Sequence, residues 1–306
     1  MRNTFVNELL LQAKSNKKIF LITGDVGFSV LEPFKEKYPD RFLNAGISEQ
    51  NMILTACGLA SEGYNVFVYS IGNFPIFRCY EQIRNYVAYP KANVKIISTG
   101  SGFSYGPLGV SHHTTEDISA LRVLPNLTIM SPADPLEAKA SAKYLSRYIG
   151  PAYIRVAKSG DPIIHKKDLL FKNIEPICVK KTNKSKIAVL TTGNILNSLL
   201  DEANNNYDLD FYSFPFVKPL PINFLKKLFL KYKFIITAEE HQLAGGFGSS
   251  IIEIHNDQKN KNGFSNSIFR IGIKDKFFSI TGSQKYIMKK NNLNLNHIMR
   301  LIDSNR

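Results

Sequence analysis

Cysteine is scarce in this 306-residue chain, which has only Cys57, Cys79 and Cys178. Their number is odd and their spacing fits no metal-ligand pattern. Buried thiols in a reducing compartment are the expected reading. Histidine is also sparse, at six. His112 and His113 are adjacent, so they cannot share a helix face as an i, i+4 zinc pair would. No apolar run is long enough to span a bilayer. The first twenty residues, "MRNTFVNELLLQAKSNKKIF", lack a signal peptide's small-residue cleavage site and read as an amphipathic helix feeding a strand. The expectation is a cytoplasmic protein without membrane contact. The full dinucleotide and P-loop patterns are missing, as are any fixed-period repeat and any basic stripe interleaved with aromatics. The net charge of +14 is therefore read as dispersed lysine, mixed with asparagine in "NNNYD", "NDQKNKNG" and "KKNNLNLN". No nucleic-acid partner is expected. Anionic small substrates remain compatible with such a balance.

Hydrophobic residues make up 44% and charged residues 21%, an ordinary globular composition at a length comfortable for two domains. Short apolar runs such as "KIFLITG", "NVFVYSI", "VKIIST", "LTIMSPA" and "AYIRVA" alternate with helical stretches at 48–62, about 78–89, 115–124 and 134–148. Asp134 is an expected N-cap, with Pro135 at the first helical position. The segment 161–184 breaks the rhythm and reads as a linker with one edge strand. The alternation then restarts with "KIAVLTTG", a helix over 194–205, "LDFYSF", a helix over 222–231, "KFIITAEE", a helix after "GGFGSS", "IFRIGI" and two closing helices. The expected fold is α/β: two doubly wound domains, 1–160 and 185–306, the first built on a mainly parallel sheet and the second smaller.

In open α/β sheets ligands gather at the carboxyl ends of strands. Gly24 to Ser29 reads as a plain turn, with Ser29 able to cap a helix. In "NAGISEQNMI", Ser48 is the expected cap and Glu49 lies in the first helical turn, where a helix-dipole role is the ordinary one. In "SIGNFPIF", Ile71, Phe74 and Phe77 are three apart, a spacing that suits core packing or the wall of a flat ring. The stretch from Gly100 to Thr115 has neither strand nor helix pattern and carries both adjacent histidines, and loops that long tend to be functional or disordered. Arg155 and Lys158 end a strand, where a cation can meet an anionic ligand or stand as surface charge.

Each signal is weak alone, but their order is not. "GISEQNM", "YEQIRN" before "VKIIST", "SHHTTEDISALRVLPNLTIMSPADPLEA", "KPLP" and "AEEHQLAGGFGSSIIE" together resemble the carboxyl-terminal half of transketolase. The likeness is to the pyrimidine-binding and C-terminal domains of the split form, in which that half is a separate subunit, and it covers nearly the whole chain.

The resemblance implies a thiamine-diphosphate-dependent transferase that moves a two-carbon ketol unit from a ketose donor to an aldose acceptor. Glu49 matches the glutamate that contacts N1′ of the aminopyrimidine and passes a proton there. Aspartate is too short for that role and glutamine cannot exchange the proton. Phe74 matches the aromatic stacked on that ring, Phe77 falls where another aromatic is common, and Ile71 stands where phenylalanine is common. His112 matches a histidine that contacts substrate oxygens near the reacting carbon. Asp25 aligns with a channel aspartate and Ser29 with a serine that contacts a sugar phosphate. Lys158 falls near a phosphate-binding arginine, whose bidentate fork lysine lacks. Leu108 lies where an aspartate reads a sugar hydroxyl, and Gly100 where another histidine touches substrate. Losing two polar readers shifts substrate preference, so a deoxygenated, branched or nucleotide-linked sugar is expected.

The family's Gly-Asp-Gly and downstream asparagine, which hold magnesium and the diphosphate, are missing. The expectation is a partner subunit that supplies the Mg2+ ligands, in a two-plus-two assembly. The competing readings are a deoxyxylulose-phosphate-synthase-like subunit, a 2-oxoacid dehydrogenase beta-like subunit and a non-catalytic scaffold paralogue.

Overall fold

The computed structural model describes residues 1–203 and 207–304. Among the described residues, twelve strands form two sheets. The first sheet takes β1 (Ile19–Thr23), β2 (Phe42–Asn44), β3 (Asn65–Ile71), β4 (Val94–Thr99), β5 (Thr128–Met130) and β6 (Ala152–Val156). β7 (Ile177–Lys180), β8 (Ile187–Thr192), β9 (Asp210–Ser213), β11 (Phe234–Gln242) and β12 (Ser267–Ile273) form the second. β10 (Phe216–Lys218) follows β9 in sequence yet joins the first sheet, whose order is β10-β5-β6-β4-β3-β1-β2. It pairs antiparallel with β5, while every other pair in that sheet is parallel. The second sheet runs β12-β11-β8-β9-β7, with β7 as the antiparallel edge strand within the connecting segment.

The central strands are buried on both faces, as near-continuous Val, Ile, Tyr and Phe runs require. Helix Pro135–Leu145 opens on Asp134, whose carboxylate accepts the amide of Glu137 at 2.8 Å, with Pro135 at its start. One apolar cluster carries Ile118, Leu121 and Leu124 from the first unit together with Leu225, Phe229 and Phe247 from the second. The two sheets therefore pack through a shared core.

The helix expected over 194–205 is Ile195–Ala203, and positions 204 and 205 lie outside the described residues, as does part of "NNNYD". The helix expected near 78–89 is one α-turn, Tyr80–Gln82, continued by a π-helical segment, Ile83–Ala88. "FPIF", which follows β3, is a one-turn helix, Phe74–Phe77. Proline is tolerated in a first turn because its missing N–H has no intrahelical acceptor there. Cys79 is buried and Cys57 partly so, but Cys178 is exposed on the edge strand. No helix among the described residues is long and apolar enough to cross a membrane.

Candidate active site

The carboxyl ends of β1, β2, β3 and β4 deliver the expected loops to one end of the first sheet. The turn before Glu49 is shaped by Asn44. Its Oδ1 accepts the amides of Asp25 and Gly46 at 2.9 and 3.0 Å, and its Nδ2 donates to the Asp25 carboxylate at 3.0 Å. Ser48 occupies the N-cap position, but its hydroxyl donates back to the Ala45 carbonyl at 2.7 Å. Glu49 is the first residue of helix Glu49–Ser61 and is buried.

Glu49 Oε1 accepts from the Arg78 guanidinium at 2.5 Å. That guanidinium lies over the Phe74 ring, with its carbon 4.2 Å from the centroid. The His112 imidazole stands edge-on against Phe74, with ring centroids 5.5 Å apart, and against Tyr105 at 6.4 Å. Glu49, Phe74 and His112, drawn from three separate segments, are thus joined through direct contacts, Glu49 by way of Arg78. Arg78 and Tyr105 belong to the same cluster and carried no local sequence signal, since a lone arginine after one helical turn and a lone tyrosine in a loop are ordinary surface residues.

Other expected residues are placed differently. Phe77 is half-exposed and faces a cavity of about 320 Å3 shared with Phe103, Val110, His113 and Phe278. Burial lowers the pKa of His113 from its ordinary value, and its ring packs edge-on against Phe103 at 5.0 Å. Ile71 closes β3, partly buried. Asp25 and Ser29 are exposed on the loop after β1. Ser29 does not cap the next helix; its amide instead donates to Glu32 at 2.8 Å, because Leu31 takes the N-cap position. Leu108 is exposed, in the short turn Gly106–Leu108. Lys158 is exposed on a separate polar recess of about 250 Å3 lined by Ser104, Asp161, Asn194, Gln284 and Lys285. Arg155 is an interior strut, neither ligand cation nor surface charge. It is 3.2 Å from the Asp117 carboxylate and donates to the Thr114 carbonyl at 2.7 Å.

Gly100 has φ +93°, and a Cβ there would stand 2.2 Å from the Tyr105 ring. The space that a larger residue would take at position 100 is therefore filled by Tyr105, which leans over the glycine towards His112.

The loop from Gly100 to Thr115 is held by the second sheet. The Phe103 amide donates to Glu240 at 2.8 Å, Gln284 donates to the same carboxylate at 2.8 Å, and the Gln242 amide donates to the Thr115 carbonyl at 2.8 Å. Burial pushes the carboxyls of Glu239 and Glu240 up to about 7, and pushes His241 down to about 4.

The residues present fit a flat, hydrogen-bonding ring. A planar donor, the guanidinium, already lies on Phe74 and meets Glu49. Among the described residues, one cluster of three possible metal ligands converges: Asp134, Glu137 and His165. Its atoms are committed internally: Asp134 accepts the amides of Glu137, Ile164 and His165, while Glu137 accepts the Ala133 amide and pairs with the His165 ring.

Residues 1–160 match the family described as "Transketolase, pyrimidine binding domain", and residues 178–289 match "Transketolase, C-terminal domain". The chain is 32% identical to a putative transketolase C-terminal section from Methanocaldococcus jannaschii, across 90% of this chain and 87% of that protein. It is 29% identical to one subunit of an apulose-4-phosphate transketolase from Actinobacillus succinogenes, across 98% and 96%. The solved structure of a split-gene transketolase in an inactive beta4 tetramer superposes with a TM-score of 0.85 at 28% identity, covering 99% of this chain and 96% of that one.

Proposed function

Because this chain belongs to the transketolase family and carries its pyrimidine-binding and C-terminal domains, we propose that Glu49, Phe74 and His112 form its half of a thiamine-diphosphate site shared with a second subunit. The chain is a transketolase-type transferase subunit of the split kind. The observation that carries the proposal is the contact chain from buried Glu49 through Arg78 and Phe74 to His112.

Thiamine diphosphate, when bound, supplies the carbon nucleophile and the electron sink for ketol transfer. Phe74 offers the ring face against which the aminopyrimidine stacks. Glu49 holds and returns a proton at the ring nitrogen N1′, in a position largely shielded from water. His112 reaches the substrate oxygens beside the reacting carbon and stabilises charge that develops there. Magnesium and the diphosphate fall to an N-terminal subunit, in a two-plus-two assembly. The split-gene relative, inactive as a beta4 tetramer, supports the need for that partner. Asp25 and Ser29 line the approach of the sugar and Ile71 and Phe77 border the pyrimidine, while Lys158 stands apart in its own recess.

The substrate is a modified sugar rather than the common pentose and heptose phosphates. The apulose-4-phosphate relative supports this, as does the lack of a polar side chain at Leu108 and Gly100, where polar readers stand in the family. Domain limits of 1–160, 161–184 and 185–306 suit this division of labour, with β10 reaching back across it.

The test is reconstitution. The chain is mixed with the subunit that carries Gly-Asp-Gly, with thiamine diphosphate and magnesium, and assayed with ketose donors and with pyruvate. Ketol transfer is the expected result. Turnover of pyruvate alone would favour the deoxyxylulose-phosphate-synthase-like or dehydrogenase-like readings, and no turnover on any donor would favour a scaffold.

A further inference from the structure

Arg78 is tied at both ends to the helix that begins at Glu49. Its guanidinium donates to Glu49 Oε1 at 2.5 Å, and its carbonyl accepts from the Gln50 side chain at 2.9 Å. The guanidinium also covers a face of Phe74. A guanidinium is flat, delocalised and rich in donors directed in its own plane. An aminopyrimidine is likewise flat, and on the reading above it would take the same ring and the same carboxylate. His112 already stands against Phe74, so the ring has little room for both.

We propose that Arg78 occupies the pyrimidine subsite of the unloaded chain and has to swing out before thiamine diphosphate can bind. The inference rests on the functional reading above and adds a competitor built into the chain. Physical reasons support it from both sides. A buried carboxylate without a partner is costly, so the empty site needs a cation beside Glu49. The Arg78 side chain is 49% exposed, so it returns to water without a large desolvation change. The occupied state lowers the apparent cofactor affinity by the fraction of molecules in which the subsite is open.

The test titrates thiamine diphosphate with magnesium into the reconstituted two-subunit complex by calorimetry, comparing wild type with Arg78→Met and Arg78→Lys. Arg78→Met is expected to bind about three- to tenfold more tightly, the range that a partly exposed ion pair and a cation–ring contact together supply. Arg78→Lys, which keeps the charge and loses the plane, is expected to fall between the two. Unchanged or weaker binding by Arg78→Met overturns the proposal, because the arginine is then idle or helps to hold the bound cofactor. Failure of the wild-type complex itself to take up thiamine diphosphate overturns the functional reading instead.

Discussion

The carboxylate of Glu240, near the carboxyl end of β11 in the second sheet, accepts the backbone N–H of Phe103 at 2.8 Å. The loop bearing His112 is therefore fastened to a strand more than a hundred residues away in sequence. The fastening is close: a Cβ at Gly102 would meet the Glu240 carboxyl carbon at 2.5 Å. Glu240→Ala leaves the Phe103 amide and the Gln284 side chain without their acceptor. It is expected to cost about 1–3 kcal/mol of stability, the usual penalty for an orphaned buried donor. Faster amide exchange across residues 101–115 should accompany the loss. Unchanged exchange there would show that the loop is held by other contacts.

The buried acids make stability depend on pH. Glu239 and Glu240 are pushed up to about 7 from a usual 4.5, so between those values the folded state keeps protons that the unfolded chain releases. Their contribution is fully present below about 4.5 and is lost as pH rises through about 7. His241, pushed down to about 4 from 6.5, acts in the opposite sense and costs stability as pH falls from 6.5 towards 4. The slopes oppose each other in mildly acidic solution, and near neutrality the carboxyls act alone. Each unit of separation is worth about 1.4 kcal/mol. Glu240→Gln is expected to flatten the fall in melting temperature between about pH 4.5 and 7. An identical slope in the variant would remove Glu240 from the account.

Glu49→Gln keeps the shape of the side chain and removes its ability to carry a proton. In the reconstituted complex, ketol transfer is expected to fall by at least about a hundredfold, the lower end for loss of a positioned acid or base. Sedimentation should show the assembly intact. Full activity in the glutamine variant would remove Glu49 from the chemistry.

Gly100 and Tyr105 act as a pair. Gly100→His places a side chain on a left-handed backbone and drives it into the Tyr105 ring, an expected loss of at least about 1–2 kcal/mol. Tyr105→Gly alone should change the KM for the acceptor, because it opens the space beside His112. In the double variant part of the Gly100→His penalty should be recovered, since contacting sites are not additive. Strict additivity in thermal unfolding would show that the two side chains do not compete for one space.

Most of the architecture was legible in the order of residues. The alternation of short apolar runs with helical stretches follows from what each segment buries locally, and it marked the central strands, helix Pro135–Leu145 and the position of Glu49 at a helix start. The order of short motifs was enough to reveal the family, because the spacing of loops along the chain survives when each loop taken alone is uninformative. The rest was set by segments meeting in space. β10 crosses into the first sheet because a sheet edge pairs with whatever backbone reaches it, and three residues carry no periodic signal. Arg155 is interior because its counter-charge, Asp117, arrives from another element. Arg78 lies on Phe74 and against Glu49, and Tyr105 covers Gly100, for the same reason. Hydrophobic periodicity reports which face of a segment avoids water, whereas the partner of a polar or aromatic side chain is fixed only when distant segments are brought together.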